Sequence, residues 1–201
     1  MNLVINLSPK RNTTQTMKKI LFFVVITILS LSSFSQTQIY LRSGENISAQ
    51  PDINFFGYGK KLNKSGTLKM SYFALVEKSW AEGLIGLSYS PTSWCELGIM
   101  GGIETNPNIY RGSASICLTG KKFSFSTCIE RGGGNDNWWY KTTALYSASK
   151  KLTVGLMSWR FNATGPYAEY SVSKAISIWS NPGYDLEAKE KRFIIGLNIK
   201  M

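Results

Sequence analysis

Apolar and polar residues alternate along most of the chain, and the segment 192–201 shows the pattern most clearly. Its odd-numbered residues are all apolar, whereas its even-numbered residues include Arg192, Asn198 and Lys200. A period of two is typical of a β-strand whose two faces have unlike surroundings. The same alternation predicts strands at 67–77, 80–90, 94–104, 109–119, 122–130, 138–148, 151–162 and 166–173, with weaker candidates at 38–42, 52–60 and 175–179.

Turn sequences separate these segments, among them Pro91-Thr92, Gly120-Lys121 and Ser149-Lys150. Glycine, proline and asparagine at such spacing favour tight connections between neighbouring strands. Consecutive hairpins predict an all-β fold with an antiparallel up-and-down sheet. A chain of this length can supply a barrel of about ten strands, within a range of roughly eight to twelve.

An export signal precedes the strands. Met17-Lys18-Lys19 is followed by an apolar run from Ile20 to Leu31 and then by Ser33-Phe34-Ser35. This order predicts a signal peptide over 17–35, cleaved after Ser35, with 1–16 as a non-structural N-terminal extension. The region 36–51 is then an N-terminal segment that could supply a first strand, and 52–201 forms the barrel.

An exported antiparallel sheet with one apolar face has two possible surroundings. In a soluble barrel the apolar face points inward, whereas in an outer-membrane barrel it points to lipid. Aromatic residues near both strand ends favour the membrane, because bands of Trp and Tyr mark its two interfaces. The predicted aromatic girdle comprises Tyr89, Tyr110, Trp138, Tyr140, Trp159, Tyr167 and Trp179.

Predicted loop lengths also differ between the two ends of the sheet. The turns named above are short, whereas 106–108, 131–137, 162–166 and 181–191 are longer. Short turns on one rim and longer loops on the other are typical of outer-membrane barrels.

The final strand resembles the C-terminal strand of outer-membrane proteins, although Met201 stands where an aromatic residue is usual. The chain thus resembles small Gram-negative outer-membrane β-barrel, porin-like proteins as a class. The resemblance implies an antiparallel up-and-down transmembrane barrel in the outer membrane. Its partners would be outer-membrane lipid and the barrel-assembly machinery, and the oligomeric state stays open.

The other face of the strands carries charges that should line the lumen. Both signs are present, so we expect internal pairing and a narrow or plugged interior. If Gly120-Lys121 form a two-residue turn, Arg111 lies directly opposite Glu130. The expected lumen charges are Lys69, Glu77, Glu82, Glu96, Glu104, Arg111, Lys122, Glu130, Lys141, Glu169, Arg192 and Lys200.

Composition narrows the function. The chain contains no histidine, which excludes Ser-His-Asp and Cys-His catalysis and every histidine metal site. The net charge is +11, but bases and acids are interspersed, so no nucleic-acid partner is expected. We predict a porin-like or structural outer-membrane barrel that is not an enzyme and uses no cofactor or metal. The alternative is a soluble exported barrel that binds a small apolar ligand or glycan.

Overall fold

The structure, a computed structural model, describes residues 34–45, 49–78 and 80–200. The described chain forms one closed antiparallel barrel, in which each strand pairs with its neighbours in sequence and the first pairs with the last. The strands are β1 (Phe34–Gly44), β2 (Gln50–Lys61), β3 (Leu68–Val76), β4 (Ala81–Thr92), β5 (Cys95–Glu104), β6 (Tyr110–Thr119), β7 (Phe123–Gly132), β8 (Trp138–Ser147), β9 (Leu152–Trp159), β10 (Thr164–Ser171), β11 (Ile176–Asp185) and β12 (Glu190–Lys200). No helix of the described residues is long and apolar enough to cross a membrane.

The barrel has twelve strands and not about ten, because all three weak candidates form full strands. The segment 181–191, expected to be a loop, is divided between β11 and β12. Asn181-Pro182-Gly183 has turn composition, yet Asn181 and Gly183 pair with Ile194 and Arg192 across the β11–β12 ladder. The hydrogen bonds of the closed sheet therefore override local turn propensity here.

Connections alternate between two rims. The upper rim carries the connections 45–49, 77–80, 105–109, 133–137, 160–163 and 186–189, and the lower rim carries 62–67, 93–94, 120–122, 148–151 and 172–175. Upper-rim connections have four or five residues, and lower-rim connections have two to six. The predicted asymmetry of loop length is thus wrong, since the longest expected loop is mostly strand.

The N-terminal predictions lie largely outside the described residues. The expected extension 1–16 and most of the expected signal peptide 17–35 precede Phe34, where β1 begins. The segment 36–51 supplies most of β1 and the beginning of β2. It belongs to the barrel wall, because β1 pairs with both β2 and β12.

The two faces of the sheet differ in polarity. Ile99 and Leu156 on the outer face are each 64% exposed, and similar aliphatic side chains surround them along neighbouring strands. On the inner face Asp52, Glu104 and Asn198 are at most 3% exposed. Because residues alternate between faces along each strand, the outer face is mainly aliphatic, whereas the interior holds most of the charged side chains together with a cluster of aromatic ones.

The β6–β7 hairpin differs from the expected register by two residues. Lys121-Lys122 form its turn, closed by the Gly120 amide donating to the Phe123 carbonyl at 2.7 Å. Ser113 consequently pairs with Glu130, and Arg111 pairs with Gly132. Direct opposition of Arg111 and Glu130 is therefore wrong, but a shift of two residues leaves both on the inner face.

Candidate functional site

The barrel interior contains a cavity of about 450 Å³. Its wall combines hydrogen-bonding side chains such as Gln38, Asn54 and Thr143 with apolar ones such as Phe56 and Met157. A concave site of mixed polarity is the usual form of a small-molecule pocket. The interior cavity is therefore the candidate functional site.

Three arginine-centred ion-pair clusters fill the interior near the upper rim. Carboxylates outnumber arginines seven to three, and most of the side chains are nearly inaccessible to solvent. We call this group the charge belt. It consists of Arg42 with Asp52 and Glu77, Arg111 with Glu82, Glu104 and Glu130, and Arg192 with Asp185 and Glu190.

Arg111 holds the most buried cluster of the charge belt. Its Nε lies 2.8 Å from Glu82 Oε2 and 2.7 Å from Glu130 Oε2, and its Nη1 lies 2.7 Å from Glu104 Oε2. Asn137 donates from Nδ2 to Glu104 Oε1 at 2.6 Å. The Arg111 guanidinium thus links β4, β5 and β7 to its own strand, β6. Its N–H donors have a fixed planar arrangement, which allows it to contact several carboxylates at once.

Arg42 and Arg192 extend the charge belt around the place where the first strand, β1, pairs with the last, β12. Arg42 lies 2.5 Å from Asp52 and 2.8 Å from Glu77. Arg192 lies 3.1 Å from Asp185 and 2.7 Å from Glu190. These side chains therefore occupy the barrel interior at the upper-rim ends of β1, β2, β11 and β12 and in the connection after β3.

Below the charge belt, carboxylates on the cavity wall have partners of their own. Lys69 pairs with Glu96 at 3.0 Å, and Ser90 and Tyr58 also donate to Glu96. Glu169 accepts hydrogen bonds from Tyr167 at 2.8 Å, from Asn198 at 2.9 Å and from Ser177. These contacts fix acceptors that would otherwise be buried without partners.

Lys141 has different surroundings. Its Nζ lies 4.0 Å from the centre of the Trp159 ring and 5.8 Å from that of Trp179. Among the described residues, no carboxylate forms an ion pair with Lys141 and no group accepts a hydrogen bond from its ammonium. The lysine lines the cavity, so its charge faces the open space.

An aromatic wall lies beside Lys141, and it corrects the girdle prediction. Tyr40, Met157, Trp159, Tyr167 and Trp179 pack together inside the barrel and are each at most 6% exposed. The girdle assignment is wrong for Trp159, Tyr167 and Trp179, because odd-numbered residues of β9 to β11 face inward in the observed register.

A glycine makes room for this wall. A Cβ atom at Gly196 would lie 2.6–2.7 Å from three atoms of the Trp179 ring. Only a residue without a side chain allows the indole to lie against the β12 backbone.

The remaining aromatic residues of the predicted girdle are on the outer face. Tyr110 is 73% exposed, and Tyr89 and Trp138 are also exposed. Tyr140 stacks on Trp138 with 5.7 Å between ring centres. Tyr89 lies towards the lower rim, whereas the other three lie towards the upper rim.

The predicted lumen charges fall into two groups. Eleven lie on the inner face or point towards it: Lys69, Glu77, Glu82, Glu96, Glu104, Arg111, Glu130, Lys141, Glu169, Arg192 and Lys200. Lys122 lies exposed in the β6–β7 turn, 5.9 Å from the ring of the outward-facing Tyr146, so its lumen assignment is wrong. Lys200 is the last residue of β12 and is exposed at the lower rim.

Sequence reasoning missed Arg42, Asp52, Asp185 and Glu190 of the charge belt. They lie in weakly patterned strands or in the segment taken for a loop. Extending the period of two through 181–192 would have placed Asp185 on the face of Asn181, which is fully buried. No group of three or more histidine, cysteine, aspartate and glutamate side chains suited to a metal ion occurs in the described part of the chain.

Arg160 joins two upper-rim loops above the interior. It donates to Asp136 at 2.8 Å, to Glu187 at 2.7 Å and to the Trp138 carbonyl at 2.6 Å. The hydrogen bond from Arg160 lowers the pKa of the Asp136 carboxyl from its ordinary value of 3.8. Asp136 also adopts a left-handed backbone conformation, with φ of 52°.

Comparison with known proteins gives matches in structure alone. No family model matches the chain, and no curated protein matches it in sequence. The KdgM porin superposes with a TM-score of 0.57 at 11% identity, covering 82% of this chain and 98% of the porin. The NanC porin gives 0.53 at 10% identity, covering 83% of this chain and 100% of the porin.

An enzyme shares the same architecture. Outer membrane phospholipase A from Escherichia coli gives a TM-score of 0.56 at 9% identity, covering 88% of this chain and 96% of the enzyme. At such identities the likeness concerns the fold and not the chemistry of the site. The chain therefore has the closed antiparallel barrel fold found in these porins and in this phospholipase.

Proposed function

We propose that this chain is a porin-like protein of the outer membrane. The observation that carries the proposal is the inverted polarity of the barrel, with aliphatic side chains outside and charged side chains inside. Soluble proteins rarely expose a continuous apolar surface of this kind. In a bilayer the same surface contacts lipid, and the closed sheet leaves no unpaired strand edge.

The soluble alternative requires the opposite arrangement. A soluble exported barrel buries its aliphatic residues and presents its charges to water. Here Glu82, Glu104 and Glu130 are at most 3% exposed, whereas Ile99 and Leu156 are each 64% exposed. The membrane function is therefore favoured over a soluble ligand-binding barrel.

The charge belt sets the expected transport behaviour. Its ion pairs fill the interior near the upper rim, so a continuous water path can only be thin. We infer a narrow channel with small conductance, or a lumen that opens when the belt rearranges.

An enzymatic role is not proposed. Phospholipase A shares the fold, but this chain has no histidine with which to activate a hydroxyl nucleophile. We therefore expect a negative result in a phospholipase assay. Purified protein without a histidine tag should release no fatty acid from phospholipid vesicles.

Two measurements test the location and the fold together. The protein should sediment with outer membranes, and unboiled samples should migrate differently from boiled ones on gels. Mass spectrometry of the purified protein should find its N-terminus at Gln36 if the signal peptide is cleaved after Ser35. Recovery of a soluble periplasmic protein would contradict the proposal.

Channel activity is tested in planar bilayers. Wild-type protein should give small conductance steps, and variants that weaken the belt should give larger ones. Folding that depends on the barrel-assembly machinery would support the proposed partner. Large, stable conductance in the wild type would mean that the belt leaves a wide path.

A further inference from the structure

We propose that the cavity beside Lys141 binds a small organic carboxylate, with the anionic group at Lys141 and the apolar part against the aromatic wall. The proposal deepens the porin-like function, on which it rests, by naming a class of solute. It begins from the difference between Lys141 and the other charged side chains on the cavity wall.

Lys69 is the natural comparison. Both lysines point into the same interior, but Lys69 pairs with Glu96 at 3.0 Å. Lys141 has no ion-pair partner among the described residues; the ring faces of Trp159 and Trp179 lie beside it, and Cys128 lies directly opposite it on β7. Ring faces attract an ammonium group but leave its three N–H donors without hydrogen-bond acceptors. A bound anion would supply those acceptors.

Three further polar groups near Lys141 also have no partner. The Tyr40 hydroxyl and the indole N–H groups of Trp159 and Trp179 are buried and form no hydrogen bond in the described structure. The centre of the Tyr40 ring lies 5.2 Å from that of Trp159 and 5.9 Å from that of Trp179, so all three groups belong to the same cluster as the ammonium. Buried polar groups without partners are costly and are expected where a ligand completes the site.

Repulsion from nearby carboxylates does not prevent anion binding. Glu130 also lines the cavity, but Arg111 lies 2.7 Å from it. Glu169 lies directly opposite Trp179 on β10 and β11, but its carboxylate already accepts hydrogen bonds from Tyr167, Ser177 and Asn198. These donors offset the negative charge of Glu169.

The surroundings favour an organic anion over an inorganic one. Met157, Trp159 and Tyr167 form an apolar surface beside the ammonium, and all three line the cavity. A carboxylate attached to a ring or short chain can contact both the charge and this surface. A strongly hydrated inorganic ion would lose water there without gaining apolar contact.

The test uses calorimetric titration of the full chain in detergent with sodium benzoate. Benzamide, which is neutral and similar in shape, is the ligand control. Benzoate should bind more tightly than benzamide. Lys141→Met should weaken benzoate binding by about tenfold or more, because one charge-assisted contact is lost.

Lys69→Met is the protein control. It removes the same charge from the same interior, so a general electrostatic effect would weaken binding equally in both variants. We expect little change in Lys69→Met. Equal affinity for benzoate and benzamide, or equal loss in the two variants, would overturn the proposal.

Two further measurements distinguish a loss of benzoate binding from a loss of folding or of membrane location. Heat-modifiable migration of each variant shows that its barrel is closed. Because titration needs no membrane passage, failure to bind benzoate leaves the porin-like proposal intact. Failure of the wild type to fractionate with membranes would instead contradict that function while leaving the binding result unaffected.

Discussion

Arg111 reaches Glu130 at 2.7 Å although the two residues lie two positions out of direct register on β6 and β7. A diagonal contact is possible because arginine is long and residues two apart share a face. The diagonal position lets the same guanidinium also contact Glu82 and Glu104. Arg111 is therefore the shared cation of three carboxylates.

Arg111→Met should strongly destabilise the barrel. The substitution leaves three buried glutamates without their cation, and removal of one partner from a buried ion pair typically costs about 3–5 kcal/mol. Urea unfolding in detergent, followed by heat-modifiable migration, measures the loss. Adding Glu130→Gln should recover part of it, because one fewer carboxylate then remains unpaired.

Lys69→Met provides the matched comparison for stability. The Lys69 and Glu96 side chains are 25% and 21% exposed, so solvent compensates for the broken pair. Its loss should be well below that of Arg111→Met. A similar loss in both variants would show that burial of the Arg111 cluster does not set its contribution.

Ile99→Arg should block assembly. Ile99 lies at the centre of β5 on the outer face, and a lipid-facing arginine near the bilayer midplane costs about 2–4 kcal/mol. Ser126→Arg is the control, since Ser126 lines the cavity. The amount of heat-modifiable protein in the membrane fraction distinguishes them. Normal assembly of Ile99→Arg would argue for a soluble barrel.

The Arg160 contact to Asp136 should depend on pH. The pKa of Asp136 is lowered in the folded protein, so its contribution is present above the unfolded value of 3.8. The contribution is lost as pH falls below that value through the folded pKa. Hydrogen exchange in the loop 133–137 should therefore accelerate below about pH 4, after correction for the intrinsic rate.

Asp136→Asn is the matched control for this pH dependence. Asparagine also tolerates the left-handed conformation at this position, so the loop backbone should be preserved. The variant cannot titrate, and its exchange should show no corresponding step. A step of the same size in the variant would assign the effect to another group.

Gly196→Ala should disturb the aromatic wall. The added Cβ would lie 2.6–2.7 Å from the Trp179 ring, and overpacking of this kind costs about 1–3 kcal/mol. Near-ultraviolet circular dichroism and urea unfolding should both change. Gly134→Ala tests a positive-φ glycine in a loop with open space around it, where only backbone strain is added.

Strand pattern predicted the architecture because a barrel repeats one local rule. In β12 the odd-numbered residues Phe193, Ile195 and Leu197 are exposed, whereas Ile194 and Asn198 are buried. Period two alone gives this result. The alternation does not predict a strand where turn-like residues lie inside one, as Asn181-Pro182-Gly183 do in β11. There the hydrogen bonds to β12 determine that the segment is extended.

The face of the sheet on which a side chain lies is harder to predict for aromatic residues than for charged ones. Trp138 and Trp159 both lie near the upper rim, but one faces outward and the other inward. Aromatic residues are compatible with both a lipid interface and a packed interior, so their type does not reveal their face. Extending the strand parity through β9 to β11 would have separated them.

The pairing of β1 with β12 has a consequence for biogenesis. Gln36 pairs with Lys200, and the ladder continues to Gly44 and Arg192, so the seam joins segments that are far apart in sequence. Every other ladder joins consecutive strands and can form as the chain becomes available. Until the seam forms, the intermediate has two unpaired edges that can capture other chains. Closure should therefore be the step at which folding competes with aggregation.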